Sequence, residues 1–259
     1  MNVLESFKLN GKIALVTGGA GILGKSIVEA LAEAGATVIS ASRSATSGDS
    51  LVKEFREKGY TIHCMTYDQS KHESILGLKR DIKAAFGRLD IFVNNAVARP
   101  MKSYDGSISE LELSMKVNGT GNIDILREMA NLMESQNNGG SIINISSMMG
   151  MFGPDLSNYE GTKMGTPPPD YFFHKGGMIN LSNYFAKILA GKNIRVNTIS
   201  PGGIFNNQPE RFLENYCKKV PLGRLANGSD IKGLIVLLAS DAGNYINGEN
   251  ILLDGGLLA

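Results

Sequence analysis

The sequence has only two cysteines, Cys64 and Cys217, far apart and in no CxxC spacing, so neither a disulfide framework nor a thiolate metal site is expected. Unpaired thiols suit a reducing compartment. Charge of one sign is not in excess either: the formal net charge is +1, with Lys/Arg and Asp/Glu scattered through both halves. That balance recommends no basic face for nucleic acid or for an anionic membrane, and neither partner is expected. Long apolar runs are also missing. No stretch approaches the ~20 residues of a spanning helix, and the start, MNVLESFKLNGK, carries an acid and lacks an apolar signal core. A cytoplasmic location is therefore expected. His63 and His72 have no carboxylate or cysteine at ligand spacing, so no metal site is expected. No linker, repeat or low-complexity segment divides the chain.

What is present is enough for a full core: 259 residues, 42% hydrophobic and 20% charged. Residues 12–17 (KIALVT) form a short apolar run of the kind buried on both faces of a parallel sheet. The run passes into TGGAGILG, 17–24, and then into SIVEALAEAG, whose apolar residues recur at helical spacing until Gly35. Strand, glycine turn and helix make a nucleotide-binding succession. Glycines let the backbone approach a pyrophosphate, and the helix start offers free N–H groups with a positive dipole end.

The same alternation continues: a strand over 36–42, a helix over 51–58, a strand over 60–67, a helix over 70–86 and a strand over 89–94. A long helix follows over 109–134, with Asn118 in an awkward interior position that calls for a local break or a use for its side chain. Strands at 141–147, 194–199 and 250–253, the tyrosine helix and a helix near 230–239 complete the pattern. It predicts a single α/β domain over 1–259, a Rossmann-type doubly wound parallel sheet of about seven strands with helices on both faces. The second strand ends in Ser42 and Arg43. With no acid there to bind ribose hydroxyls, a small residue followed by arginine leaves room for a 2′-phosphate, which favours NADP(H) over NAD(H). The plainer alternative is a solvated loop charge. Asp68 and Gln69 follow the third strand at the edge where cofactors are met.

These motifs, in order, resemble the short-chain dehydrogenase/reductase family: TGGAGILG, NNA, KVNGTG, NISS, a YxxxK before an apolar helix, RVNTISPGG and DGG. The likeness covers almost the whole chain. It implies a nicotinamide-dependent oxidoreductase whose catalytic asparagine, serine, tyrosine and lysine correspond to Asn118, Ser147, Tyr171 and Lys175. It also implies cofactor contacts from Gly18, Gly21, Ile22, Leu23, Ser42, Arg43, Asp68, Gln69, Asn95, Ala96, Tyr171, Lys175, Pro201, Gly202 and Ile204, and a homodimer or homotetramer. The sequence departs from the pattern in three places. The middle glycine of the turn is Gly21, followed by Ile22, as in longer, epimerase-like members; NNAV ends in Val97; and Asn206 stands where a threonine is common.

Two YxxxK pairs compete. Tyr159 and Lys163 lie at the usual interval from Ser147, but Pro167, Pro168 and Pro169 stop any helix begun there. Tyr171 and Lys175 open a helix that continues, and a lysine one turn from a tyrosine can lower its pKa. They are the expected working pair, with Asn118 anchoring a water. Residues 148–170 then form an enlarged loop carrying Tyr159, Glu160 and Lys163 toward substrate, and 204–219 a second substrate-side segment. His174 is expected to pack on another face of the helix. The loop's hydroxyl, acid and amine groups suit a polar, sugar-like small molecule. Its wording, NYEGTKMGTPPPDYFFHKGG, resembles oxidoreductases of bacterial surface-glycan and flagellin-modification pathways. Alternatives are a 3-oxoacyl-thioester or small-ketone reductase, a sugar epimerase, for which the usual additional substrate domain is lacking, and a non-catalytic cofactor-binding sensor or scaffold.

Overall fold

The computed structural model describes residues 2–259. Among them, strands β1 (Ile13–Thr17), β2 (Thr37–Ser42), β3 (Ile62–Thr66), β4 (Ile91–Asn94), β5 (Gly140–Ile145), β6 (Ile194–Pro201) and β7 (Asn250–Leu253) form one parallel sheet in the order β3-β2-β1-β4-β5-β6-β7. The helices are α1 (Ile22–Glu33), α2 (Ala45–Glu57), α3 (His72–Phe86), α4 (Ile108–Ser114), α5 (Gly121–Glu134), α6 (Pro169–Leu189), α7 (Glu210–Cys217) and α8 (Lys232–Ala239). The strands are continuous apolar runs because both faces are covered. Ala14 and Val16 of β1 join α1, α2 and α8 in one core layer, whereas Leu15 faces α3, α5 and α6 in the other. The single-domain, Rossmann-type doubly wound sheet matches the expectation. β1 pairs with β2 on one side and β4 on the other, so the strand order reverses there and a crevice opens at the carboxyl ends of the strands. No helix among the described residues is long and apolar enough to cross a membrane.

The structure corrects several boundaries. α2 starts well before Leu51 because Ser44 caps it, accepting from the Ser47 N–H at 3.3 Å. The helix expected over 109–134 is two helices separated by a π-helical segment, Met115–Thr120. Gly121, just after it, is required by packing, since a Cβ there would run into the Gln69 carbonyl. The connection expected over 148–170 ends at 168, because Pro169 is already helical, at a position where its missing N–H has no intrahelical partner to lose. The segment 204–219 is largely helical. Phe212 and Tyr216, one turn apart in α7, are buried against Tyr159, with ring centroids 5.4 Å apart for Tyr159–Phe212 and 5.7 Å for Phe212–Tyr216.

A buried chain of side-chain hydrogen bonds crosses the sheet. Asn94 Nδ2 donates to Asn122 Oδ1 at 2.6 Å and to Asn144 Oδ1 at 2.9 Å. Asn144 Nδ2 and Thr198 Oγ1 each donate to Ser182 Oγ at 2.8 Å. The chain therefore ties α5, β4, β5, α6 and β6 together, and explains the polar residues embedded in otherwise apolar strands. Ser182 is the shared acceptor. Ser182→Ala is expected to lower unfolding free energy by on the order of 2 kcal/mol, because two buried donors lose their partner. Urea unfolding of the variant checks this, and an unchanged midpoint would contradict it.

Candidate active site

β1 delivers its carboxyl end to the glycine turn, and the turn is held from below. Thr17 Oγ1 accepts from the N–H groups of Asn95 and Ala96 at 3.0 and 3.1 Å, while Asn95 Nδ2 donates to the carbonyls of Thr17 and Gly18 at 3.0 and 3.2 Å. Gly18 adopts φ +66°, and a Cβ on Gly24 would run into the Gly18 carbonyl. Only glycine fits either place. Gly21 is the N-cap of α1 and gives no side-chain cap, so the first N–H groups of the helix face the crevice without a capping partner. A cradle of this shape with unpartnered donors fits a dinucleotide pyrophosphate.

The crevice is a cleft of about 1210 Å³. It is lined by Gly18, Gly21, Ile22, Leu23, Ser42, Arg43, Asp68, Gln69, Asn95, Ala96, Asn118, Ser147, Tyr171, Lys175, Pro201, Gly202 and Ile204. The residues named from the sequence as catalytic or cofactor-binding thus line one cavity. Arg43 is exposed on its wall. Gln69 is already engaged, accepting from Tyr67 Oη at 2.9 Å and donating to the Val117 carbonyl at 3.0 Å. Its side chain braces the π-helical segment.

Tyr171 and Lys175 lie one turn apart at the start of α6. Lys175 is buried and its Nζ donates to the Ile145 carbonyl at 2.7 Å, at the end of β5, while Ser146 Oγ donates to the Lys175 carbonyl at 2.8 Å. Nζ stands 5.7 Å from the centre of the Tyr171 ring. The Ile145 carbonyl favours the ammonium form, but burial, and after it the positive charge of Arg99, push the Lys175 pKa down to about 7. Ser147 is buried on the same wall.

Asn118 sits in the π-helical break, which answers the question posed by its interior position. Its amide makes three hydrogen bonds to protein: Oδ1 accepts from the Ala98 N–H at 2.9 Å, and Nδ2 donates to the Ala98 carbonyl at 2.8 Å and to Ser114 Oγ at 3.1 Å. The side chain clamps a neighbouring loop. His174 is buried as expected but belongs to a polar cluster. Ser114 Oγ lies 3.1 Å from His174 Nε2 and donates to Asp170, so the imidazole must present Nε2–H. Burial holds His174 below its ordinary pKa.

The expectation for the upstream pair needs correcting. Tyr159 lines the cleft through its packing on Phe212, and burial pushes its pKa up to about 12. Glu160 and Lys163 are exposed and outside the lining, and Glu160 contributes only its carbonyl, to Asn215 Nδ2 at 2.9 Å. Three positions at the site escape the sequence reading. Tyr216 accepts from the Gly203 N–H at 2.7 Å. Lys219 holds Asp155 at 2.6 Å, which ties α7 to the 148–168 connection. Arg99 lies against Tyr171, its Cζ 4.8 Å from the ring centre and its Nη2 3.4 Å from the phenolic oxygen. Phe212 and Tyr216 at i, i+4 after a proline are a readable helix signal; Arg99 carries none.

A family model described as enoyl-(acyl carrier protein) reductase matches residues 18–258. The 3-oxoacyl-[acyl-carrier-protein] reductase of Thermotoga maritima is 32% identical over 97% of this chain and 99% of its own length. The chain belongs to the short-chain dehydrogenase/reductase family. A 2-dehydro-3-deoxy-D-gluconate 5-dehydrogenase from Pseudoalteromonas atlantica is 32% identical, with 98% of each chain covered. The post-translational flagellin modification protein A of Campylobacter coli is 28% identical, over 96% of this chain and 98% of its own. Among solved structures, a gluconate 5-dehydrogenase from Burkholderia cenocepacia in complex with NADP and tartrate superposes with a TM-score of 0.87 at 26% identity, covering 99% and 98% of the two chains. A short chain dehydrogenase from Leptospira borgpetersenii with bound NAD+ gives 0.86 at 30%, covering 98% and 95%. This short-chain dehydrogenase/reductase is an NAD(P)-dependent oxidoreductase that interconverts a carbonyl and an alcohol on a small molecule.

The burial of Lys175 has a measurable sign. Its folded pKa of about 7 lies below the ordinary 10.5, so between those values the unfolded chain binds more protons and stability rises with pH. Below pH 7 the full cost of the buried charge is present. Relative to Lys175→Met, the cofactor-free protein is expected to gain on the order of 3 kcal/mol of unfolding free energy between pH 6.5 and 9.5. Urea titrations of both proteins at the two pH values check it; parallel pH profiles would contradict it.

Proposed function

We propose that the enzyme interconverts a ketone and a secondary alcohol on a polar, hydroxyl-rich small molecule, with Tyr171 as general acid and base and NADP(H) preferred to NAD(H). What supports this is that Tyr171, Lys175 and Ser147 line the same cleft as the glycine turn and Arg43. A nicotinamide bound in the cleft supplies or accepts the hydride. The chain manages the proton. Tyr171 gives its phenolic hydrogen to the carbonyl oxygen during reduction and removes it from the alcohol during oxidation. Ser147 donates to the same oxygen and fixes its position. Protonated Lys175 stabilises the phenolate; because a phenolate in turn raises the proton affinity of a nearby amine, the two groups titrate as a pair. Asn118 acts as a positioning residue, since its amide holds Ala98 beside the site.

For the cofactor, Gly18, Gly21, Ile22, Leu23, Asn95, Ala96, Pro201, Gly202 and Ile204 hold the pyrophosphate and nicotinamide portions, and Ser42 and Arg43 take the adenosine 2′-phosphate. The substrate class is supported by polar groups among the cleft lining, such as Asn158, Thr166 and Gln208, and by relatives named for gluconate and flagellin-modification chemistry. A second reading, reduction of 3-oxoacyl thioesters, is favoured by the Thermotoga relative and by the apolar wall of Met148, Tyr159, Met164 and Phe212; turnover of acetoacetyl thioesters but not of keto-sugars would select it. The reading includes a homodimer or homotetramer, supported by Leu113 and Ile123 exposed on α4 and α5 and by Tyr184 and Ile188 exposed on α6; a monomeric mass by light scattering would remove it. The free, half-buried Cys64 and Cys217 support a reducing, cytoplasmic setting.

Tyr171→Phe is expected to lower kcat by about 10²–10⁴-fold with cofactor binding retained, measured by NADPH oxidation across keto-sugars alongside a fluorescence titration of the cofactor. Near-normal turnover would remove Tyr171 from the chemistry. Arg43→Ala is expected to raise the KM for NADPH roughly tenfold or more while that for NADH changes little, the effect of losing a charge-assisted phosphate contact. Equal losses for both cofactors would mean that Arg43 does not read a phosphate.

A further inference from the structure

We propose that Arg99 and Lys102 form an anion subsite beside Tyr171 that holds a carboxylate of the substrate, so that the enzyme selects hydroxylated acids over neutral sugars. The inference rests on the reading of Tyr171 as the group that meets the reacting oxygen. Arg99 Nη2 lies 3.4 Å from the phenolic oxygen, with the guanidinium carbon 4.8 Å from the ring centre. A guanidinium carries five N–H donors in a fixed fork. Only one approaches the phenol, and the remainder meet no other protein acceptor among the described residues. Lys102 also lines the cleft, and its Nζ donates to the Arg99 carbonyl at 2.8 Å. That leaves the other ammonium hydrogens free.

The position is built. Ala98, immediately before Arg99, is gripped at both its N–H and its carbonyl by Asn118. Pro100, immediately after, restricts Arg99 to extended backbone. Lys102 fixes the carbonyl between them. The loop is therefore pinned on both sides of the one residue whose side chain leans over the tyrosine.

No acid neutralises the pair. Of the carboxylates lining the cleft, Asp155 is held by Lys219 at 2.6 Å, Asp68 by Lys71 at 3.4 Å, and Asp170 is buried and turned to Ser114. Arg99 and Lys102 form no ion pair with any described residue. Two cations without a carboxylate partner, on the wall of a cleft whose acids Asp155 and Asp68 are ion-paired, present a field complementary to an anion. Because the guanidinium is so close to the phenolic oxygen, the anion must be attached about one or two carbons from the reacting carbon for both hydrogen bonds to form. A carboxylate joined directly to the carbon chain meets that limit.

The test compares aldonates with the alditols that differ from them only by carboxylate versus hydroxymethyl: threonate and threitol, arabinonate and arabinitol, gluconate and glucitol. Binding to the full-length protein saturated with NADP+ is read by isothermal titration. At least one acid is expected to bind about tenfold or more tightly than its alditol, the range of one charge-assisted hydrogen bond, with the preference shrinking as salt is raised. Arg99→Met should bring that ratio to within about twofold, and Lys102→Met, an exposed position whose substitution leaves the core intact, should lower it part of the way. The proposal is overturned if no acid binds better than its alditol, including the case in which none binds, or if the ratio survives in Arg99→Met. A neutral ketone assayed with NADPH in the wild type and in Tyr171→Phe separates this from the wider reading. Loss of turnover in the variant upholds the role of Tyr171 whatever the acids do. Retained turnover removes that role while the binding ratio still decides the subsite.

Discussion

The seam between α6 and the end of β5 is the constraint on which the site depends. Lys175 is bonded to β5 and its extension twice, through its ammonium to Ile145 and through its carbonyl from Ser146, and the next turns of α6 are fastened to β5 and β6 through Ser182. The approach is close enough that Gly150 admits no Cβ against the Lys175 backbone. A helix so fixed has no freedom to rotate, and Tyr171, one turn earlier, is thereby aimed across the mouth of the cleft. The consequence is a buried amine. Placing a cation where water cannot reach it destabilises the cofactor-free protein, and the same burial brings the amine into the range where it can exchange a proton near neutrality.

Around that seam the substrate wall is assembled from two stretches that are distant in sequence. The 148–168 connection and the segment of α7 are joined by the Lys219–Asp155 ion pair just after the helix, by Asn215 bonding to the Glu160 carbonyl and by the packed rings of Tyr159, Phe212 and Tyr216. Tyr216 then returns to the turn after β6 through the Gly203 N–H. The exposed ion pair adds little by itself. Burial of the aromatic rings contributes more, and it makes the two stretches one body, so a substitution in either is felt by the turn that faces the cofactor.

Much of this was legible because it follows from local rules. Continuous apolar runs announced strands buried on both faces, and glycines before a helix announced the tight turn into α1. That Tyr171 and Lys175, and not Tyr159 and Lys163, lie on a helix that continues followed from proline's inability to sit inside a helix. What was not legible depended on contacts between distant residues. Nothing around Asn118 said that its amide would bond both the N–H and the carbonyl of Ala98, since that requires knowing that the loop after β4 passes the break in the helix. The same holds for Asn94 and Asn144, which fall within the motifs NNA and NISS, and for Asn122: all three are held in a buried chain of hydrogen bonds. Motif membership and direct contact with the reacting groups are different properties.

The balance of charge illustrates the same point at larger scale. A net charge of +1 on 259 residues promises no electrostatic character, yet the cleft gathers Arg43 at one end and Arg99, Lys102 and Lys175 at the other, while its acids are neutralised by partners or buried. Fields in a cleft with low-dielectric walls are set by the unpaired charges lining it, and distant surface charges are screened within about 10 Å at ordinary ionic strength. A near-neutral chain can therefore carry a locally positive site. The arrangement also has an internal consistency: the cation that stacks on the tyrosine lowers the proton affinity of the lysine behind it. An anion bound at Arg99 would relieve that repulsion and return Lys175 toward its charged form, the state that stabilises a phenolate.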